Sequence, residues 1–310
     1  MIAQSTMFDE YTEVRGQIAL SKNSLHTIDA TSSGQVCNTF GLHQSLPFIK
    51  SLYDANDLAF IANMGVLQQP TTKETWYEDT RATGLFAHNI QQDEINFVDI
   101  LLQGEGRGVC GRIADVLALN DYQPGSISMN GIASSLRSKS FSTIVVDAKS
   151  GYQQFNDVGS LSKTSSVTDM VREMNPASSL RSSLFGETWS EALFQALDEN
   201  ELMYDEITNI VVDATFPDTD LGRQLSGVAT VMKTKDVRGT DRDIFNVHVG
   251  GFDLHAHIDG PLTELLTSIN DALEAFVIEM RDHQGIWDDV ALVIVSEFGR
   301  TLMGNTGNGR

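Results

Sequence analysis

V-A-L-V-I-V-S-E-F-G-R-T (Val290 to Thr301) runs from an unbroken apolar stretch into a charged turn. The apolar run predicts a strand buried on both faces, as in a parallel sheet. Glu297 and Arg300 then stand at the carboxyl end of that strand, where open α/β sheets gather ligand chemistry. Just upstream, residues 262–283 carry the clearest helical pattern. Leu262, Leu265, Leu266, Ile269, Leu273, Phe276, Val277 and Met280 form one apolar stripe. Before that helix, D-I-F-N-V-H-V-G-G-F-D (Asp243 to Asp253) reads as a strand entering a Gly-Gly turn. A crossover helix between two buried strands argues for a parallel sheet. The fold class expected is α/β.

Further upstream, residues 221–233 and 188–209 read as helices, with a turn region at Val211 to Asp220 between them. S-T-I-V-V-D (Ser142 to Asp147) reads as a strand and residues 109–119 as a helix. Leu46, Ile49 and Leu52 recur at helical spacing within 43–57. L-A-F-I-A-N-M-G (Leu58 to Gly65) follows as a short buried strand ending at glycine. Residues 8–29 read as a charged helix with a short connection, and 66–95 as irregular and polar. Residues 149–186, rich in Ser, Gly, Asn and Asp, read as an inserted surface region or cap. A single domain over 1–310 carrying this insertion is the organisation expected.

A chain of 310 residues can bury a sizeable core, and 41% hydrophobic with 20% charged residues is ordinary globular composition. The net charge is −21, from 42 acids against 21 bases. That surface repels phosphate backbones, so nucleic acid is not expected as a partner. An anionic substrate would have to be drawn by a local cationic site, such as a metal. No stretch approaches the ~20 apolar residues of a membrane span. The N-terminus, M-I-A-Q-S-T-M-F-D-E, shows no signal peptide. Cys37 and Cys110 make no disulfide framework and read as small buried residues.

Three segments carry candidate chemistry. In H-V-G-G-F-D-L-H-A-H-I-D, three of the seven histidines fall within ten residues: His248, His255 and His257. Asp253 and His255 follow a Gly-Gly turn, and D-x-H spacing puts both on one side of an extended segment. Carboxylate and imidazole donors suit zinc, manganese or iron, against the alternative of a solvated polar turn. His248 reads as a core or supporting residue. In S-E-F-G-R-T, Glu297 can ligate metal or act as a base, and Arg300 can clamp an oxyanion, against a simple ion pair at a strand end. In L-F-A-H-N-I-Q-Q (Leu85 to Gln92), His88 can ligate, shuttle a proton or cap a helix. No G-x-S-x-G elbow is present, so the nucleophile is a nearby Ser or Thr or a metal-bound water.

These segments occur in a familiar order. F-G-L-H-Q-S-L-P (Phe40 to Pro47), L-F-A-H-N-I-Q-Q, G-V-C-G-R-I-A-D (Gly108 to Asp115), G-G-F-D-L-H and S-E-F-G-R-T together resemble the domain-of-unknown-function family 1501 over nearly the whole chain. This is a sulfatase-like branch of the alkaline phosphatase superfamily. The resemblance implies a three-layer α/β/α sandwich with a mostly parallel sheet. It also implies a site holding a divalent ion (zinc, manganese, calcium or iron) and acting on small phosphate or sulfate esters. By motif, Asp253 and His255 would be metal ligands, and Glu297, Arg300 and His88 would belong to the catalytic site. His257 is a further metal candidate from its place in the histidine cluster, without a family counterpart. Family members begin with a strand ending in Gly-Gly-x-Asp and continue past S-E-F-G-R-T to an Asp-His pair. This chain therefore reads as a fragment lacking ligands at both ends, and it would be inactive as such. Members often carry an export signal, so a periplasmic or secreted setting is implied. The alternative is a non-catalytic exported or surface binding protein on the same fold.

Overall fold

Every residue of one strand, Pro124–Ser128, is buried, and this strand organises the molecule. The computed structural model describes residues 6–35, 37–62, 64–65, 71–78, 87–98, 106–147, 167–174, 183–298, 303–305 and 307. In chain order these hold α1 (Met7–Arg15), β1 (His26–Asp29), β2 (Thr39–Leu42), α2 (Pro47–Asp54), α3 (His88–Phe97) and α4 (Val109–Leu119). Then come β3 (Pro124–Ser128), β4 (Ile144–Val145), α5 (Val167–Met174), α6 (Leu184–Ile207), α7 (Asp220–Met232), α8 (Lys235–Arg238), β5 (Arg242–Asn246) and α9 (Asp259–Ile278).

β3 lies between β4 and β5, parallel to both, with Ile127 opposite Ile144 and Phe245. The fold is thus α/β with a parallel three-stranded sheet. β1 and β2 form a separate antiparallel hairpin. Ile127 and Met129 enter a core shared with Leu221, Leu225 and Val228 of α7 and with Leu273 and Phe276 of α9. Alternation turns Ser126 and Ser128 to the other face. There Asn246, the register partner of Ser128, donates to Ser135 Oγ at 2.9 Å.

The helices of the C-terminal half fall close to the expected ranges, because their apolar stripes are continuous. The expected helix within 8–29 is shorter: α1 stops at Gly16, which takes φ +56, and the chain reaches β1 by His26. Two expected buried strands are corrected. Leu58–Gly65 and Val290–Val295 form no ladder among the described residues, and Ile61, Met64 and Val293 are 78%, 78% and 81% exposed. Only Leu58 and Val290, the first residue of each, pack on the core. An apolar run becomes a strand only where a neighbour satisfies its N–H and C=O groups. Within 149–186 the described residues form α5 and the start of α6; the remainder of that expected insertion lies outside them. Both cysteines are free and half-buried, and burial pushes the Cys110 thiol up. No helix among the described residues is long and apolar enough to cross a membrane.

Buried polar side chains join the elements. α2 starts with Pro47 and has no side-chain cap of its own. Asn270 of α9 supplies one, its Oδ1 accepting the Phe48 and Ile49 N–H groups at 2.8 and 3.4 Å. α9 ends in a wide π turn, Glu279–His283. Glu279 is fully buried there. Its Oε2 accepts the Asp213 and Ala214 N–H groups at 3.0 and 2.9 Å, and its Oε1 faces Lys233 Nζ at 2.9 Å and the Gln284 amide at 3.0 Å. Burial pushes this carboxyl up, but the Ala214 N–H, the Lys233 ammonium and the Gln284 amide outweigh it and hold the pKa at about 2.

The glycine spacing of G-R-G-V-C-G (Gly106 to Gly111) is that of a dinucleotide-binding turn. Here its later glycines serve packing. The Gly108 N–H donates to Arg137 O at 2.9 Å, and a Cβ on Gly111 would lie 2.0 Å from that same oxygen.

Two outcomes follow. Gly111→Ala is expected to destabilise the fold by about 1–3 kcal/mol through overpacking, read by urea unfolding. Glu279→Gln should lower stability by about 3 kcal/mol at neutral pH. The folded pKa lies below the ordinary 4.5, so the carboxylate contributes above that value and its contribution is lost as pH falls toward 2. The gap between wild type and variant should therefore close over that window in acid unfolding curves. A gap independent of pH would contradict the charged latch.

Candidate functional site

Past β5 the chain has no ladder partner among the described residues on its open side. Buried Gln224 of α7 takes that role: its Nε2 donates to His248 O at 2.8 Å, and its Oε1 accepts the His248 N–H at 3.0 Å. His248 is thus held through its backbone as a supporting residue. The chain then turns at Gly250 and Gly251. Gly251 takes φ +92 and lies over Leu265 of α9, a conformation that leaves a side chain strained. Asp253 and His255 emerge directly beyond it. Asn305 Nδ2 donates to His255 O at 2.8 Å and the His257 N–H donates to Gly307 O at 3.1 Å, so the C-terminal segment braces this loop.

Four side chains from three distant stretches meet here. His255 Nε2 lies 2.9 Å from Asp253 Oδ2. The other Asp253 oxygen, Oδ1, lies 3.9 Å from His88 Nε2. Across the His88 ring, Nδ1 lies 3.8 Å from Glu297 Oε1. The result is an alternating line, His255, Asp253, His88, Glu297. His88 is the first residue of α3, after Ala87, and the Phe298 ring packs against it with centroids 5.0 Å apart. Exposure falls along the line, from 71% for His255 to 19% for Glu297. The inner end can therefore shield charge from water while the outer end admits a ligand.

Asp253, His255, His88 and Glu297 were all legible as separate candidates, and the fold brings them together. The His257 ring is exposed, makes no ion pair or hydrogen bond with a described residue, and sits on a backbone of φ +50. Arg300 lies outside the described residues. Sequence reading passed over Gln92, whose Nε2 donates to Glu297 Oε1 at 3.0 Å. Its signal was the four-residue spacing from His88, which puts both on one helix face.

Among the described residues, no group of three or more His, Cys, Asp or Glu stands in metal-holding arrangement. The line does offer carboxylate and imidazole donors, the types a divalent ion takes, but His88 stands between the two carboxylates, so no three of the four side chains surround one point. His88 Nδ1 adds a specific observation, since it is buried and has no hydrogen-bond partner among the described residues. A buried ring nitrogen left in that state suits a cation, a water or a proton donor.

A family model described as a protein of unknown function (DUF1501) matches residues 146–310, more than half of the chain. The chain belongs to the DUF1501 family. The match includes Asp253, His255 and Glu297, whereas His88 lies upstream of it and joins them through the fold. No curated protein and no solved structure was found to match this DUF1501 chain.

Proposed function

We propose that this chain carries the site of a metal-dependent hydrolase acting on phosphate or sulfate esters, on an alkaline phosphatase-like α/β/α sandwich. The observation that carries the reading is the convergence of His88, Asp253, His255 and Glu297 beyond the carboxyl end of β5. Asp253 and His255 would hold the ion, and Glu297 stands on the other side of the His88 ring. A bound divalent ion supplies Lewis-acid polarisation of the ester oxygen and lowers the pKa of water beside it.

The chain's own residues supply the rest. Asp253 fixes the orientation of the His255 ring through the 2.9 Å contact. His88, held by Phe298, can pass a proton between the leaving oxygen and Glu297. α3 starts at His88 without a side-chain cap, so its first-turn N–H groups and positive dipole end lie beside the site and favour an anionic group. Arg300, three residues beyond Glu297, is the proposed clamp for charge developing on the ester oxygens. On a chain of net charge −21, such local positive features are what would attract a small anionic ester.

The test pairs metal analysis with ester hydrolysis. Wild-type protein dialysed against zinc or manganese should retain bound metal and cleave an aryl phosphate or aryl sulfate. Asp253→Ala and His255→Ala should each lose metal, and His88→Ala should retain metal but lose roughly 10²–10⁴-fold in rate. Wild-type protein with neither bound metal nor ester cleavage would sink the reading.

A further inference from the structure

β3 and β4 end side by side, and a cavity of about 460 Å³ opens beyond their carboxyl ends. Parallel sheets gather ligands in such crevices, and this volume falls within the roughly 300–1,000 Å³ of small-molecule pockets. Met129, Val146 and Asp147, just past the two strands, line one side, and Phe216 of the turn before α7 lines another. Arg223, Ser226, Gly227 and Thr230 line the third, at the three- and four-residue spacing of a single face of α7. None of these residues belongs to the line of His255, Asp253, His88 and Glu297.

The walls differ in chemistry. On α7, Thr230 Oγ1 donates to Ser226 O at 2.9 Å, while Ser226 Oγ has no hydrogen bond with a described residue. The facing wall is apolar. Met129 is wholly buried, and a Cβ on Gly227 would come 2.4 Å from Met129 Cε. Glycine is unfavourable inside a helix, and here it lets Met129 lie flat against α7 as the cavity floor. The lining holds two exposed carboxylates, Asp147 and Asp218, against one guanidinium, Arg223. Arg223 already pairs with Asp218 and Asp220. An incoming anion would meet a neutralised arginine and an acidic rim, whereas a cation would meet carboxylate. We propose that this cavity binds a small primary amine on an apolar body, with the body against Met129, Val146 and Phe216 and the ammonium toward Asp147 and Ser226 Oγ. The site is independent of the hydrolase reading and of any metal.

Ligand-observed NMR titration of the whole chain tests this with three probes of similar size: 2-phenylethylamine, 2-phenylethanol and phenylacetate. At neutral pH the amine should bind about 2–5-fold more tightly than the alcohol, the range of a solvent-exposed ion pair, and the carboxylate should bind most weakly. Asp147→Asn should erase the amine's advantage and leave the alcohol unchanged. Ser226→Phe, which fills the cavity, should abolish binding of all three. Glu274→Gln, at an exposed carboxylate of α9 outside the lining, should change nothing. Absence of saturable binding for all three probes overturns the site. So does unchanged binding in Ser226→Phe protein that keeps the wild-type thermal midpoint, since the probes then sit elsewhere. An alcohol or carboxylate that binds as tightly as the amine overturns the amine class. An advantage that Glu274→Gln erases as fully as Asp147→Asn also overturns it, because the amine then answers only to the net charge of −21. Asp147 is exposed, so its variant decides the matter even where Ser226→Phe fails to fold.

Discussion

Burial of β3 sets the terms for everything around it. A strand with no exposed residue must have its backbone groups paired on both sides, or each unpaired group costs on the order of 1–3 kcal/mol. β5 meets that demand along all five residues on one side, and β4 pairs the last two, Ile127 and Ser128, on the other. The pairing fixes where the chain leaves the sheet, and the exit from β5 leads through Val247 and Val249 to the Gly-Gly turn. The site is therefore placed by the hydrogen-bonding needs of residues that take no part in its chemistry.

Where the ladder ends, side chains take over. Gln224 offers His248 both an acceptor and a donor, as a neighbouring strand would. Asn270 caps a helix to which it does not belong, and Glu279 gathers two N–H groups, an ammonium and an amide. All three are almost wholly buried. A buried polar group that satisfies its partners specifies geometry more sharply than an apolar contact, because a shifted partner is left without water.

The helices α7 and α9 were legible because their apolar spacing is local information. β3 was not, since P-G-S-I-S contains one strong strand former and two residues that usually end strands. Its state comes from β4 and β5, more than a dozen residues away. The converse error was Val290–Val295, whose composition is that of a strand but which has no partner among the described residues. The hairpin β1–β2 escaped notice because H-T-I-D and T-F-G-L are short and sit in polar surroundings. In the site, Asp253, His255 and Glu297 could be read from spacing and motif. That His88 stands between two of the carboxylates could not, because no local pattern reports a contact between such distant segments. Gln92 was hidden for the same reason: an exposed glutamine on a helix is ordinary until its acceptor is known.

That separation also bears on the order in which the molecule forms. Gln92 and Glu297 are 205 residues apart, and the Asn270 cap on α2 spans 222. Closing such loops costs entropy before any contact offsets it. Local helices and the β3 neighbourhood can form first, while the acid–base line awaits the docking of both ends of the chain. A population with full helical content can thus include molecules in which His88 has not yet met Glu297.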